Sequence, residues 1–218
     1  MTRYRIILNP AADRGNSFAM SAQPTTSAPP VSAKIAISGG FGAGKTTLVG
    51  TISEITPLRT EADLTTAGVT VDDREFLTAK TTTTVALDFG RVTVNDGVRL
   101  YLFGTPGQDR FGFMWDDLVQ GALGALILAD TRRLDACYQS IDYYEASAIP
   151  FVVAVNQFEN GPVHRLDQVR RVLDLGSETP IVRFDARDRE SVKEVLIHLL
   201  DMLLARSRQV PAGPAGTV

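Results

Sequence analysis

Lys45 and Thr46 close the stretch Gly39-Gly40-Phe41-Gly42-Ala43-Gly44-Lys45-Thr46-Thr47, whose spacing fits G-x-x-x-x-G-K-[ST]. These residue types suit one kind of ligand. Glycines let the chain fold tightly, so that successive N–H groups point at one set of phosphate oxygens. Lys45 brings a point charge to the β- and γ-phosphates of a nucleotide, and the Thr46 hydroxyl is a ligand for Mg²⁺. A helix opening at Thr46 adds the positive end of its dipole. Such a loop has to sit between a strand and a helix. Val31–Ser38 is β-like, with the apolar Ile35-Ala36-Ile37 near its end, and Thr46–Ile55 is helix-compatible as far as Pro57.

The elements that must hold this loop alternate along the chain. Strand Lys34–Ser38 precedes it. A long polar connection over 57–84 carries two Thr-rich patches, and a connection of that length in a compact domain is usually functional. Val85–Val94 and Val98–Phe103 flank Asn95-Asp96-Gly97, a hairpin signal. The loop Gly104–Gln108 opens into a helix over Asp109–Gln120. Ala122–Ala129 is an apolar strand ending at Asp130, followed by a helix over Leu134–Ser147. Phe151–Val155 is a buried strand, Leu166–Leu175 a helix ended by Gly176, and Ile181–Phe184 the last strand. Arg189–Arg206 is a long amphipathic helix with Val192, Val195, Leu196, Leu199 and Leu203 on one face.

Apolar strands alternating with helices predict an α/β fold: a mostly parallel six-stranded sheet covered by helices on both faces, with one antiparallel strand from the hairpin. Ligands of such sheets sit at the carboxyl ends of the strands. Residues 1–33, rich in Ser, Thr, Ala and Pro, read as a disordered leader, 34–207 as the domain, and 208–218 as a flexible Pro/Gly/Ala tail.

Bulk properties narrow the function. At 218 residues with 44% hydrophobic and 22% charged residues, the chain suits one soluble globular domain. A net charge of −3 and a pI near 5.4 argue against a general nucleic-acid binder. The lone Cys137 cannot form an internal disulfide, and no stretch approaches the ~20 apolar residues of a membrane span. A cytoplasmic protein is expected, with peripheral recruitment to a membrane through a partner left open. His164 and His198 lack ligand-spaced neighbours, so no zinc is expected. Trp115 with Phe111, Phe113 and Met114 reads as core or as partner surface. Asp130, Arg132 and Arg133, at a strand end, read as capping or solvated residues, with pocket shaping as the alternative.

Leu102-Phe103-Gly104-Thr105-Pro106-Gly107-Gln108 after the hairpin resembles the second switch of the Ras-like small GTPases, which begins D-x-x-G-Q. The resemblance implies that Gly107 gives its N–H to the γ-phosphate and that Gln108 orients the attacking water as the catalytic residue. Gly104 stands where that family has the Asp that holds Mg²⁺ through water. The T-P-G-Q form is similar to the bacterial gliding-motility (Mgl-type) GTPases, which also lack that Asp. In the same resemblance Thr84, opening Thr84-Val85-Ala86-Leu87-Asp88-Phe89, is the switch Thr and a second Mg²⁺ ligand, with Thr83 as the other candidate. No Arg precedes it as an internal finger, so unaided turnover should be slow.

Two later loops resemble the base-reading motifs of these GTPases. Asn156-Gln157-Phe158-Glu159 stands for N-K-x-D: Asn156 matches, Gln157 replaces the Lys that stacks on the base, and Glu159 replaces the Asp that accepts two guanine N–H groups. Asp185-Ala186-Arg187 stands for S-A-K, which implies an Ala186 N–H aimed at guanine O6. Over residues 34–206 the chain resembles the GTPases of actinobacterial conservon operons. That likeness implies GTP/GDP with Mg²⁺, a roadblock/LC7-type regulator and sensor-kinase-associated partners. The expected function is a guanine-nucleotide switch that hydrolyses GTP slowly; the alternative is a nucleotide-holding scaffold with little or no hydrolysis.

Overall fold

A computed structural model describes residues 30–64, 83–107, 112 and 114–209 of the chain. Strand β1 (Val31–Gly39) leads through the glycine loop into helix α1 (Lys45–Ile52). Strands β2 (Leu58–Leu64), β3 (Thr83–Asn95) and β4 (Val98–Gly104) follow. Helix α2 (Trp115–Val119) and strand β5 (Ala122–Asp130) come next. A 3-10 turn (Leu134–Cys137) then runs into α3 (Tyr138–Ala146). The chain continues as β6 (Phe151–Asn156), α4 (Leu166–Val172), β7 (Ile181–Phe184) and α5 (Arg189–Gln209).

The strands form one sheet in the order β2-β3-β4-β1-β5-β6-β7. From β4 to β7 every pairing is parallel, and β3 is antiparallel to both of its neighbours. The mostly parallel α/β architecture is as expected, but the sheet has seven strands rather than six. The addition is β2, which lies in the segment read as a polar connection. Its sequence, Leu-Arg-Thr-Glu-Ala-Asp-Leu, lacks an apolar run because an edge strand pairs along one side only and buries little. The edge is therefore β2, and β3 lies inside the sheet.

The central strands read as unbroken apolar runs because both of their faces are buried. On one face Ile35, Ile37, Leu126, Leu128 and Ala154 pack against Leu48, Val49 and Ile52 of α1 and Val192, Val195 and Leu199 of α5. On the other, Ala36, Ile127, Val153 and Val155 meet Ile141 and Tyr144 of α3 and Val169 of α4. The apolar stripe read on α5 is thus the side that covers the sheet.

Several helix boundaries differ from expectation: α1 ends at Ile52, short of Ile55, and the helix expected over Leu134–Ser147 opens as a 3-10 turn and ends at Ala146. Helix α4 stops at Val172, short of Leu175, because Asp174 takes a left-handed φ of 50° and lets Leu175 N–H turn back to the Arg170 carbonyl at 3.0 Å. The helix expected over Asp109–Gln120 is described only as α2, Trp115–Val119, since 108–111 and 113 lie outside the described residues.

Candidate functional site

Parallel pairing of β4, β1, β5, β6 and β7 brings the loops after these five strands to one rim of the sheet. The glycine loop follows β1, with positive φ at Gly39, Gly42 and Gly44. Gly44, at φ 108°, is where a side chain is barred twice. Its backbone is left-handed, and a Cβ would fall 2.5 Å from Asn156 Nδ2. Lys45 folds back over the loop, its ammonium donating to the carbonyls of Gly39 at 2.7 Å and Gly40 at 2.8 Å. The residue is only 8% exposed. Burial pushes its pKa down to about 8, against the opposing pull of the Asp88 charge.

Thr46 provides the feature that sequence reading missed. Its hydroxyl donates to Asp88 Oδ2 at 2.5 Å. Asp88 is 8% exposed and stands on β3 directly opposite Gly104 of β4. A Cβ on Gly104 would lie 3.0 Å from the Asp88 Cβ, so the carboxylate occupies the room that a side chain at 104 would need. The turn signal alone does not give this register: Asn95 pairs with Val98, which by plain counting would put Asp88 opposite Thr105, and a shift between Thr93 and Asn95 moves it to Gly104.

The loop after β4 is anchored at its start. Thr105 is 2% exposed; its N–H donates to the Ile37 carbonyl at 2.9 Å and its hydroxyl to Ser38 Oγ at 3.0 Å. Ser38 in turn shares a 2.6 Å hydrogen bond with the Tyr144 hydroxyl of α3. Two residues on, Gly107 presses on the glycine loop: a Cβ there would lie 2.4 Å from Lys45 Nζ and 2.9 Å from Phe41 N. Gly107 is thus beside the phosphate-binding groups. Gln108 lies outside the described residues. Thr84 belongs to β3, opposite Asp63, and its side chain also lies outside them, as do those of Thr83 and residues 85 and 86.

The loops after β6 and β7, for which the resemblance implies base reading, are tied to the same rim. Asn156 Nδ2 donates to the Ala43 carbonyl and its Oδ1 accepts from Ala186 N–H, both at 3.0 Å. The Ala186 amide is thereby engaged by Asn156. The Thr51 hydroxyl of α1 donates to the Ala186 carbonyl at 2.7 Å. Glu159 stands 3.4 Å from Arg187, whose guanidinium is also held by Asp185 at 2.8 Å. The Arg187 fork outweighs burial and holds the Asp185 carboxyl below the usual range. Arg132 forks onto Asp130 and lies 3.7 Å over the Phe158 ring. Burial pushes the Asp130 carboxyl up, but the Arg132 bonds prevail and its pKa is lowered. Arg132 thus ties the Asp130 turn, which also accepts the Arg132 N–H, to the Phe158 ring while its side chain stays half exposed.

Lys45, Thr46, Gly107, Asn156 and Ala186 are accordingly neighbours along one rim, with Gly40, Phe41, Gly42 and Ala43 in the loop between them. Thr47 and Phe41 are exposed. Gln157, after Asn156, donates its N–H to the Phe184 carbonyl at 2.8 Å. Of the aromatic cluster, Trp115 is core: it is 3% exposed and meets Tyr143 edge-to-face at 5.2 Å. Buried Cys137 has its thiol pushed up to about 11, unsuited to a nucleophile.

A loop of backbone donors and a buried lysine suit a phosphorylated ligand, and the Thr46 hydroxyl and Asp88 carboxylate are oxygens that could hold a hard cation. The family described as "conserved hypothetical ATP binding protein" matches residues 37–206, from β1 to the last turns of α5. The chain belongs to that family. The ATP-binding family assignment agrees with the site, and nucleotide binding by a P-loop domain follows from both. An uncharacterized protein of Methanocaldococcus jannaschii is 32% identical over 82 residues, 37% of this chain; the match spans about half (53%) of that relative's length. Among solved structures, the G-domain of FeoB from Methanococcus jannaschii superposes with a TM-score of 0.54 at 13% identity, covering 79% of this chain and 98% of that one. The G domain of the T. maritima FeoB iron transporter gives 0.54 at 17% identity, covering 78% and 98%. These likenesses establish the G-domain fold. No helix among the described residues is long and apolar enough to cross a membrane.

Proposed function

We propose that this member of the ATP-binding family is a guanine-nucleotide switch that hydrolyses GTP slowly. The observation that carries the reading is the Thr46–Asp88 hydrogen bond beside Lys45. A hydroxyl and a carboxylate so close to a buried ammonium fit a triphosphate with Mg²⁺, and Thr46 and Asp88 are the residues that would hold the ion. Bound there, Mg²⁺ would neutralise charge on the β- and γ-phosphates.

Lys45 binds those phosphates, and the glycine loop offers its N–H groups to them. Gly107, in contact range of Lys45 and Phe41, reads the terminal phosphate, and Gln108 orients the attacking water. Glu159 supports guanine over adenine, because a carboxylate accepts two N–H groups that guanine presents and adenine lacks at that edge. The Mgl-type and conservon resemblance supports a roadblock/LC7-type regulator and sensor-kinase-associated proteins as readers of the two loops.

ATP is the second reading, favoured by the family's description and by Gln157 in place of the stacking Lys. Equilibrium titrations with GTP, GDP and ATP, each with and without Mg²⁺, test both. GTP should bind at least about tenfold more tightly than ATP, an energy of about 1.4 kcal/mol, and only with Mg²⁺ at full strength. Equal affinity for ATP would overturn the guanine reading. Hydrolysis is separated from mere holding by single-turnover rates of the wild type and Gln108→Leu; equal rates remove Gln108 from the mechanism.

A further inference from the structure

In phosphoryl transfer to water, charge grows on the β–γ bridging oxygen as its bond to phosphorus breaks, and a cation at that point lowers the barrier. Lys45 is one such cation. A second stands at the outer lip of the glycine loop. The 3-10 turn after β5 is packed directly on that loop: a Cβ on Gly40 would lie 2.5 Å from the Ala136 Cβ. Arg133 precedes this turn. Its N–H donates to the Asp130 carbonyl at 2.9 Å, and its carbonyl accepts from Ala136 N–H at 3.3 Å. From this fixed backbone the guanidinium crosses the loop, donates to the Phe41 carbonyl and stands 4.0 Å from where a Gly42 Cβ would be.

Two other arginines near the rim are paired with carboxylates: Arg132 is forked on Asp130 and Arg187 is held by Asp185 and Glu159. Arg133 has a neutral carbonyl as its partner and is solvent-exposed. Phe41 is also the residue whose N lies 2.9 Å from the position of a Gly107 Cβ, so Arg133 rests on the peptide next to the one that faces Gly107. A phosphate group offers the planar fork two negatively charged oxygens, where the Phe41 carbonyl is one neutral acceptor.

We propose that Arg133 is a built-in arginine finger: it leaves the Phe41 carbonyl and donates to the β–γ bridging and terminal oxygens of the bound nucleoside triphosphate. In the step it assists, the water oxygen bonds to the γ-phosphorus and the bond to the bridging oxygen breaks. The electron pair leaves on the β-phosphate of the diphosphate; one water proton stays on inorganic phosphate and the other goes to solvent. This assignment rests on the nucleoside triphosphatase reading above.

The test compares full-length wild type, Arg133→Ala and Arg133→Lys, with Arg171→Ala on exposed α4 as control. Three quantities are read: GDP affinity, single-turnover GTP hydrolysis, and the aluminium-fluoride-dependent tightening of GDP, which mimics the transferring phosphoryl group. Arg133→Ala should keep GDP affinity within about threefold yet lose roughly 100-fold or more in rate, together with the fluoride effect. Arg133→Lys should recover only a small part, because an ammonium lacks the planar fork. A rate and fluoride response within about threefold of wild type in Arg133→Ala overturn the finger. A tenfold fall in GDP affinity overturns it too, making Arg133 a ground-state clamp. If wild-type turnover is too slow to measure, the fluoride response decides alone. A wild type that binds no GDP sinks the parent reading as well, which distinguishes the two failures.

Discussion

Asp88 on β3 faces Gly104 on β4, and the Asp88 carboxylate, not a side chain at 104, accepts the Thr46 hydroxyl at 2.5 Å. The acid that the Ras-like resemblance implies at position 104 thus has a counterpart on the neighbouring strand, Asp88. Asp88→Ala should cut the Mg²⁺-dependent part of nucleotide affinity by roughly 10–100-fold, as loss of an outer metal partner does. The sharper measurement is the exchange Asp88→Gly with Gly104→Asp. Gly104→Asp alone should unfold more readily, since its Cβ would meet Asp88 Cβ at 3.0 Å. The double variant should regain both melting temperature and Mg²⁺ dependence. Additive losses would remove the exchange from consideration.

Lys45 makes nucleotide binding a proton-uptake reaction. Burial lowers its pKa to about 8 in the free chain, whereas phosphate oxygens favour the ammonium and raise it. The folded pKa is below the unfolded value of 10.5, so the unfolded chain binds more protons between about pH 8 and 10.5. Through that window this group makes folding more favourable as pH rises, and the burial penalty is fully felt below it. Titration calorimetry with GDP at pH 8.5, in two buffers of different ionisation enthalpy, should report uptake of up to about three-quarters of a proton, the fraction of Lys45 that is neutral there; at pH 6.5 it should report almost none from Lys45. Identical uptake at both pH values would contradict the assignment.

Gly107 has no space for a methyl group while it rests on Lys45 and the Gly40–Phe41 peptide. Gly107→Ala should lower stability by about 1–3 kcal/mol, the range for overpacking, and narrow the difference between GTP and GDP affinities. Denaturant unfolding together with competition binding checks both. An unaffected triphosphate preference would dissociate Gly107 from terminal-phosphate reading.

Glu159 already has a cationic neighbour, Arg187, at 3.4 Å. Glu159→Gln should reduce the GTP-over-ATP preference by roughly 10–100-fold, equivalent to the 1.5–3 kcal/mol of hydrogen bonds to a charged group. Arg187→Ala, by freeing the carboxylate, should raise that preference. Competition between labelled GTP and unlabelled ATP reads the ratio; no change in either variant would place base recognition elsewhere.

The architecture was legible where sequence pattern and burial coincide. Ile35-Ala36-Ile37 and Phe151–Val155 read as buried strands because both faces of each are covered, and α5 showed its packed stripe directly. Strand β2 was hidden because an edge strand has no need of an apolar run. Residues Gly39 to Thr47 announced themselves by type and spacing, since phosphate binding constrains successive positions of one segment. Asp88 and Arg133 did not, because their meaning lies in what they approach: Thr46 is 42 residues from Asp88, and Phe41 is 92 from Arg133. Local periodicity carries no record of such distances. The hairpin turn did not carry the first either, because the register shift between Thr93 and Asn95 moves the pairing by one residue.

The buried chain of hydroxyls from Tyr144 through Ser38 to Thr105 reaches from a covering helix to the edge of the nucleotide loop. With Thr105 clamped to β1 by both its amide and its hydroxyl, the seat of Gly107 against Lys45 is set from the core, and a change at Tyr144 would be felt there.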